Sequence, residues 1–432
     1  MLTQAQNDLL TQVGPGTPMG HLLRCYWMPI AGASEFDEIQ AKPIKILGEE
    51  LVLYKDLSGQ FGLIDRNCVH RRSDLSAGMV ENHGIRCHYH GWLFNAKGEC
   101  LEQPYEDTAH PEAHSKAKIK IKSYPVEVKS GLIWAYFGPS PAPLLADWEA
   151  FSWANGFVQI VISSVPCNWF QCQENSIDPI HFEWMHENWG NRLRTQKIEF
   201  GAKHLKVDFK EFEHGFTYHR IKEDGDENDD AWQIGRVCLW PNGFFLGEHF
   251  EWRVPIDDEN TLSVTWKYTR VPKEMEPYEQ KVIPTWYGPV FDEIGKPINT
   301  HVMNQDFLAW MGQGTIADRT KEQLSASDKG IVLMRKKFFD EMQNHSNKKP
   351  LKALISDASL NHQIKLPMVY GHLVTQSRTI EEIKNQKTLY PFYKSYVFQA
   401  GQPNWVAKMS SQALGIEVQD FDGIVVPRHS KK

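Results

Sequence analysis

Two cysteines and two histidines lie in a pattern that can hold metal. Between Cys68 and Trp92 the sequence reads CVHRRSDLSAGMVENHGIRCHYHGW, with sixteen residues between a C-x-H knot and a C-x-x-H knot. Structural zinc sites usually take two cysteines from one tight turn, whereas each knot here supplies one thiolate and one imidazole. That division suits a [2Fe-2S] cluster in which Cys68 and Cys87 bind one iron and His70 and His90 bind the other. At this point zinc remains an alternative.

Neighbouring residues of the same types fall outside the pattern. His88 lies inside the second knot but out of register, His83 belongs to the turn ENHG, and Cys100 follows alone. We expect none of the three to bind metal. Replacing two thiolates by neutral imidazoles raises the potential of such a cluster to roughly −150 to +300 mV, so it can accept electrons from a flavin or a ferredoxin.

A second set of metal-binding side chains follows in ENSIDPIHFEWMH, where Asp178, His181 and His186 are spaced D-x-x-H-x4-H. On a regular helix, residues turn by about 100° each, so Asp178 and His181 share a face while His181 and His186 lie about 140° apart. Two histidine ligands for one ion therefore require a distorted helix or an ion at a helix end. Two imidazoles and one carboxylate would leave iron positions open for O2 and substrate. Two core histidines are the plain alternative.

With these motifs in view, the whole chain resembles the large (alpha) subunit of the Rieske non-heme iron aromatic ring-hydroxylating oxygenases. Within them it resembles the phthalate 4,5-dioxygenase-like group. The segments that carry the resemblance, besides the two motifs, are GPGTPMGHLLRCYWMPI, RCHYHGWLF and MNQDFLAWMGQGTIADRTKEQLSASDKGI. The resemblance implies a Rieske cluster on the first set of ligands and a mononuclear Fe(II) on the second.

The resemblance also supplies a third iron ligand that spacing could not find. It is Asp306 in NQDF, which lies 120 residues after His186. Asp292 and Asp318 are the nearest competitors, and we interpret Asp318 as a helix cap or an ion-pair partner.

Two further residues receive roles from the resemblance. Asp178 is expected to be catalytic, because it would bridge His90 of one subunit to His181 of the next in a homotrimer or stacked trimers. A carboxylate in that position orients the imidazole and tunes its basicity. Asn175 is expected to support the iron ligands from the surrounding layer.

Hydrophobic patterning divides the chain before the second set of ligands. Short strands fill the first part, and prolines at 139, 141 and 143 then break the pattern as linkers do. Residues 166–190 and 300–345 look helical, and residues 204–269 alternate as a sheet. We expect an α+β protein with an all-β Rieske [2Fe-2S] domain at 1–145 and an α+β catalytic domain at 146–432. The resemblance implies a helix-grip (START-like) architecture for the latter.

Composition and charge indicate which partners and which cellular compartment to expect. The chain has 432 residues, a net charge of −7 and no basic block, which argues against nucleic acid. It contains no apolar run of about 18 residues, so we expect no membrane span. The start MLTQAQNDLL lacks the features of a signal peptide, and seven scattered cysteines favour a reducing compartment. We therefore expect a cytoplasmic protein.

The expected function is that of a terminal oxygenase component in aromatic catabolism. It would use O2 and electrons from a separate flavin/iron–sulfur reductase that oxidises NAD(P)H, because the chain lacks a Gly-rich dinucleotide fingerprint. The preferred reaction is cis-dihydroxylation of an aromatic carboxylate of phthalate or benzoate type. O- or N-demethylation or another monooxygenation is the alternative within the family. A Rieske electron carrier without mononuclear iron is the alternative from another class.

An aromatic carboxylate would need a cation in the pocket, preferably arginine with its bidentate fork. Arg236 in the apolar run QIGRVCL is the first candidate, and Arg220 in TYHRI is the second. Arg253, Arg192 and Arg194 are further candidates.

Overall fold

The computed structural model describes residues 1–113 and 115–421. Within them the chain divides into two compact units, which meet along the chain at Pro143 and Leu144. The first unit contains Gln12–Pro143 together with Val254–Asp258, and the remaining described residues form the second. The domain limits at 145 and 146 stay a prediction.

The first unit is built from short antiparallel strands. They form three sheets, ordered β1-β11-β10, β2-β3-β4-β9 and β5-β6-β7-β8. The strands are β1 (Trp27–Gly32), β2 (Ala41–Ile46), β3 (Glu49–Lys55), β4 (Phe61–Asp65), β5 (Met79–Glu81), β6 (Gly84–Arg86), β7 (Leu93–Phe94), β8 (Cys100–Glu102), β9 (Ser123–Tyr124), β10 (Val126–Lys129) and β11 (Leu132–Tyr136). After α1 (Gln4–Thr11), which belongs to the second unit, the helices here are α2 (Pro18–Arg24) and α3 (Pro104–Ala109). Short 3-10 turns cover Ala33–Asp37, Leu75–Ala77, Pro111–Ala113 and Ser115–Lys118.

The core of this unit lies directly beneath the two cysteine–histidine knots. Strand β3 is buried on both faces from Leu51 to Tyr54, as expected for an inner strand with apolar side chains. Tyr54 and Phe94 pack in one apolar cluster that also includes Cys68 and Cys87. The loops that carry the knots are therefore anchored on a rigid base.

The second unit is a sheet covered by helices. Its strands are ordered β13-β14-β15-β16-β17-β18-β12-β19. They are β12 (Gly156–Val165), β13 (His204–Phe212), β14 (Gly215–Lys222), β15 (Arg236–Leu239), β16 (Gly243–Phe245), β17 (His249–Pro255), β18 (Thr261–Arg270) and β19 (Thr285–Tyr287). All neighbours are antiparallel in the registers described, except that β19 runs parallel to β12.

The helices of this unit place the second set of ligands. They are α4 (Trp169–Asn175), a π-helix (Phe182–Trp189), α5 (Gly190–Thr195), α6 (Asp230–Gln233), α7 (Val302–Gly312), α8 (Lys329–Ser346), α9 (Gly371–Thr375), α10 (Ile380–Asn385), α11 (Tyr390–Lys394) and α12 (Asn404–Leu414). Short 3-10 turns cover Glu149–Ser152, Lys273–Met275, Ala326–Asp328 and Ala358–Leu360. Through residues 1–113 and 115–421, each helix is too short or too polar to span a bilayer.

A buried ion-pair network holds α4 in place. Glu174 near its C-terminal end accepts hydrogen bonds from Arg319 (Nη2, 2.6 Å) and from Arg335 (Nε, 2.6 Å). Removing one partner of such a buried network typically costs about 3–5 kcal/mol, because the remaining charge is left unpaired. Helices α4 and α7 also share an apolar core that includes Cys172 and Phe307. The segment that follows α4 therefore starts from a fixed position.

Candidate metal centres

The two cysteine–histidine knots lie on neighbouring loops that backbone hydrogen bonds close. The N–H of Cys68 donates to the carbonyl of Ser73 at 2.8 Å, and the N–H of Cys87 donates to the carbonyl of Trp92 at 2.9 Å. Both cysteines are buried, whereas His70 and His90 are exposed at the loop tips. The two imidazole rings lie 4.4 Å apart, between centroids, and are inclined by 68°.

The donor set fits a [2Fe-2S] cluster with two thiolate and two imidazole ligands. Burial raises the pKa of Cys68 to about 11. The neighbouring Cys87 thiol adds to this rise, and hydrogen bonds from backbone N–H groups oppose it. Two such thiols become thiolates when iron binds them. Trp92 stacks on His70 with 4.4 Å between ring centroids and orients that imidazole. The buried iron would be bound by cysteine and the outer iron by histidine.

The structure also describes the three neighbouring residues that are expected not to bind metal. His88 is exposed, with its Nε2 3.4 Å from the hydroxyl of Ser73. His83 is an exposed turn residue with φ of +95°. Cys100 is buried and its thiol donates to the carbonyl of Glu102.

The segment with the second set of ligands is distorted in the way that its spacing required. His181 immediately precedes the π-helix Phe182–Trp189, which contains His186. A π-helix bonds residue i to residue i+5, so residues five apart come to the same side. The rings of His181 and His186 are 5.2 Å apart between centroids. The predicted distortion is therefore present.

Helix α7 brings Asp306 against both histidines. The distance from Asp306 Oδ1 is 3.8 Å to His181 Nε2 and 3.4 Å to His186 Nε2. One ligand atom from each of the three residues lies within 4.8 Å of the others. Two imidazoles and a carboxylate in this grouping are the donor set of non-heme Fe(II) sites. The geometry fits one iron, and the assignment of these side chains as its ligands stays a prediction.

Gln305, which sequence reasoning missed, selects the tautomer of His186. Its Oε1 accepts a hydrogen bond from His186 Nδ1 at 2.9 Å, and its own Nε2 donates to the carbonyl of Asn299 at 3.3 Å. With the proton on Nδ1, the lone pair of Nε2 faces Asp306. Burial lowers the pKa of His186, but the carboxylate of Asp306 and the hydrogen bonds outweigh it and raise the pKa.

Asn175 and Asp178 lie in the layer around these ligands. Asn175 Nδ2 donates to Asp306 Oδ1 at 3.1 Å, as a supporting residue would. Asp178 Oδ1 accepts from the N–H of Ile180 at 2.8 Å, and its Oδ2 lies 3.6 Å from His181 Nδ1, beyond hydrogen-bond length. Burial raises the pKa of Asp178, but His181 and backbone N–H groups lower it overall. Asp178 therefore stays ionised beside the outer nitrogen of His181, and its catalytic role stays a prediction.

The competing aspartates have other partners. Asp318 Oδ2 pairs with Lys321 at 2.8 Å. Asp292 Oδ1 accepts hydrogen bonds from the N–H groups of Ile294 and Lys296. Asp318 therefore has the ion-pair partner expected of it.

The two candidate arginines lie beside the iron-binding segment. Arg236 and Arg220 face the ring of Phe182, with 4.5 Å and 5.3 Å from guanidinium carbon to ring centroid. Arg236 Nη1 is buried and has no hydrogen-bond partner, and Arg220 Nη1 lies 3.5 Å from His204 Nε2. In the described part of the chain, neither guanidinium forms an ion pair with a carboxylate. Burial, and then the charge of Arg236, lowers the pKa of Arg220 to about 10. Two uncompensated cations side by side favour an anionic ligand.

A further charged group faces the same interior from strand β17. Glu251 Oε1 lies 3.0 Å from His249 Nε2, and its other carboxylate oxygen pairs with Arg253. All three are buried. Of these, only Arg253 was a sequence candidate. The alternation of charged and apolar residues in HFEWRVP was the signal that could have found His249 and Glu251, because one face of this strand is too polar for a core.

The remaining arginine candidates, Arg192 and Arg194, are exposed on α5.

Comparison with known proteins finds matches along most of the chain. A family model described as the Rieske [2Fe-2S] domain matches residues 26–125, and one described as LigXa C-terminal domain like matches residues 297–384. The chain is 56% identical over 425 residues to the 5,5'-dehydrodivanillate O-demethylase oxygenase subunit of Sphingobium sp. strain SYK-6, covering 98% of this chain and 100% of that protein. It is 28% identical over 388 residues to the phthalate 4,5-dioxygenase oxygenase subunit of Pseudomonas putida, covering 79% and 86%.

Among solved structures, the terminal oxygenase of carbazole 1,9a-dioxygenase from Novosphingobium sp. KA1 matches with a TM-score of 0.52 at 20% identity. The match covers 84% of this chain and 96% of that one. At this level of identity the likeness concerns the fold, and it agrees with an all-β Rieske domain followed by an α+β domain.

Proposed function

This chain belongs to the Rieske-type non-heme iron oxygenases as an oxygenase subunit, and we propose on that basis that it is an O-demethylase of a methoxylated aromatic acid. It would convert an aryl methyl ether into a phenol and release the methyl carbon as formaldehyde. The observation that carries this proposal is the 56% identity to the O-demethylase subunit over the full length of that protein. The demethylation alternative is thereby preferred to cis-dihydroxylation.

The proposed substrate is an aromatic carboxylate with a methoxy group on its ring. The name dehydrodivanillate denotes two linked vanillate units, and vanillate is such an acid. Arg220 and Arg236 support the choice, because their half-buried guanidinium groups flank Phe182 without a carboxylate partner in the described residues. We propose that this arginine pair binds the substrate carboxylate.

The residues of the site would bind the iron and hold its ligands and the substrate in the required orientation. His181, His186 and Asp306 would hold the iron, Gln305 would keep His186 in the tautomer that presents Nε2, and Asn175 would keep Asp306 oriented. When bound there, the iron would supply reductive activation of O2 for oxidation of the methyl group. The arginine pair would fix the ring so that its methyl group faces the iron-binding side chains.

The overall reaction balances with one O2 and two electrons. The methyl ether, O2, two electrons and two protons give the phenol, formaldehyde and water. The electrons would come from NAD(P)H through a separate flavin/iron–sulfur reductase and enter at the Rieske cluster. We propose that they pass from His90 of one subunit to His181 of the next through Asp178, in a homotrimer or stacked trimers. A cytoplasmic location completes the proposal.

A single-turnover assay tests the proposed function. Purified protein, with its iron content per chain measured first, would be reduced chemically and mixed with O2 and a panel of acids: 5,5'-dehydrodivanillate, methoxybenzoates, benzoates and phthalates. Formaldehyde together with a product that has lost one CH2 is the expected result. Two oxygen atoms added to a ring without formaldehyde would establish the dioxygenase instead, which the 28% identity to the phthalate enzyme keeps as second candidate. Two irons per chain and no turnover would support the electron carrier.

A further inference from the structure

Strand β17 presents a polar face to the helix that carries Asp306. His249, Glu251 and Arg253 alternate along the strand, so their side chains share one face. The guanidinium carbon of Arg253 lies 4.8 Å from the ring centroid of Trp310, which is one helical turn beyond Asp306 on α7. The Arg253 end of this face therefore lies close to the iron-binding side chains.

The other end of the face contacts the start of the same helix. The ring of His249 meets the ring of Phe398 edge-on, with 4.4 Å between centroids. The carbonyl of Phe398 accepts a hydrogen bond from the N–H of Met303, in the first turn of α7, at 2.7 Å. His249 and Arg253 thus line the interior between the sheet and α7.

His249 is a buried histidine with an unsatisfied ring nitrogen. It is 0% exposed, and among the described residues its Nδ1 has no hydrogen-bond partner. Its Nε2 lies 3.0 Å from Glu251 Oε1. Buried polar groups in folded proteins are almost always bonded, and an exception points to a bound ligand or water. A ligand group that bonds to Nδ1 would satisfy it.

The net charge around His249 differs from that of the arginine pair at Phe182. Glu251 is an ionised carboxylate that pairs with Arg253, so their charges cancel. A second carboxylate placed beside His249 would meet Glu251 and be repelled. A neutral hydroxyl meets no such penalty, and it can both donate to and accept from a histidine–carboxylate pair.

We propose that His249, backed by Glu251, binds the phenolic hydroxyl of the substrate next to the methoxy group, and so selects 4-hydroxy-3-methoxy acids. This inference rests on the proposed O-demethylation. It assigns the two ends of the substrate ring to different strands, with the carboxylate at Arg220 and Arg236 and the hydroxyl at His249.

The spacing of the strands agrees with that division. Arg236 is on β15 and His249 is on β17, with β16 between them, so their backbones are about 10 Å apart. Phe244 on β16 is paired with Glu251 and with Cys238, and its ring stacks on Tyr218 at 6.5 Å between centroids. An aromatic floor between an arginine pair and a histidine suits a para-substituted benzoate ring.

The test compares two substrates in three proteins. The substrates are 4-hydroxy-3-methoxybenzoate and 3-methoxybenzoate, which differ by the hydroxyl alone, and formaldehyde formation gives kcat and KM for each. In the wild type we expect kcat/KM for the hydroxylated acid to be roughly 10- to 100-fold higher, because the analogue leaves His249 unpaired. His249→Phe should reduce this ratio to about 1, and His249→Gln should restore part of it.

A control variant separates this role from a general effect on folding. His219 is also buried, but its ring nitrogens already bond to Thr217 and to the carbonyl of Trp232, so His219→Gln should leave the substrate ratio unchanged. Equal turnover of both acids by the wild type would overturn the inference while leaving O-demethylation intact. A ratio that persists in His249→Phe would also overturn it. Formaldehyde from neither acid nor from 5,5'-dehydrodivanillate would instead contradict the proposed function. If His249→Phe does not fold, the wild-type ratio and His249→Gln decide.

Discussion

Arg236→Gln tests how the substrate carboxylate is recognised. In the structure the Arg236 guanidinium lies 4.5 Å from the Phe182 ring centroid, and its buried Nη1 has no partner to compensate the charge. A hydrogen bond from such a group to a carboxylate contributes about 1.5–3 kcal/mol. Because Arg220 would still bind the carboxylate, we expect a loss near the lower end, about 2 kcal/mol, or roughly a 30-fold fall in kcat/KM.

The loss should fall on KM with kcat nearly unchanged, because the carboxylate contributes the same binding before and during reaction. The assay is formaldehyde formation with a methoxybenzoate and with its methyl ester, which carries no charge. The ester should react slowly with the wild type, and Arg236→Gln should change its kcat/KM by less than about threefold. The matched control is Arg192→Gln, an exposed arginine on α5, for which no change is expected with either substrate.

One result would refute the reasoning. If Arg236→Gln lowered kcat/KM equally for the acid and the ester, Arg236 would act on the fold or the iron-binding segment and not on the carboxylate. Iron content and the Rieske absorption of the variant, measured beside activity, would then locate the defect.

Four further predictions concern the metal centres and their support. Asp178→Asn should keep three irons per chain but nearly abolish turnover, and normal turnover would contradict the bridging role. Asp306→Ala should lose the mononuclear iron and keep the Rieske spectrum, so iron analysis should fall from three to two per chain. Gln305→Leu should weaken iron binding by roughly 10- to 100-fold, measured by chelator competition, since His186 loses its tautomer partner. His204 has its pKa lowered from 6.5 to about 4, by burial first and then by nearby cations despite Glu183. The unfolded chain therefore binds more protons between those values, so thermal stability should fall as pH drops from about 6.5 to about 4, and His204→Gln should flatten that slope.

Local spacing carried most of what could be predicted about the metal sites. The two knots and D-x-x-H-x4-H are short, and ligands within one turn or loop must end up close together whatever the rest of the chain does. The same reasoning required either a distorted helix or an ion at a helix end if His181 and His186 share one ion, and the π-helix shows that the helix is distorted. Helical segments around residues 166–190 and 300–345 and the sheet of residues 204–269 also followed from periodicity.

Local spacing cannot predict contacts between residues that are far apart in the sequence. Asp306 was reached through a family resemblance, since no spacing rule relates it to His186. Gln305, His249 and Glu251 were missed, because their roles depend on which side chains the packed helices and strands bring near them. A glutamine is common anywhere, and it gains meaning when its Oε1 lies 2.9 Å from His186 Nδ1.

The sequence by itself determined the chemistry that this protein can hold: two thiolates with two imidazoles, and two further imidazoles awaiting a carboxylate. Tertiary structure alone showed that Asp306 lies against both histidines, that Arg220 and Arg236 have no carboxylate partner among the described residues, and that His249 is buried beside Glu251. The physical reason is that ligand type and local spacing are properties of the chain. Burial, charge compensation and hydrogen-bond satisfaction are properties of the surroundings, and the surroundings exist once α7 packs against the sheet.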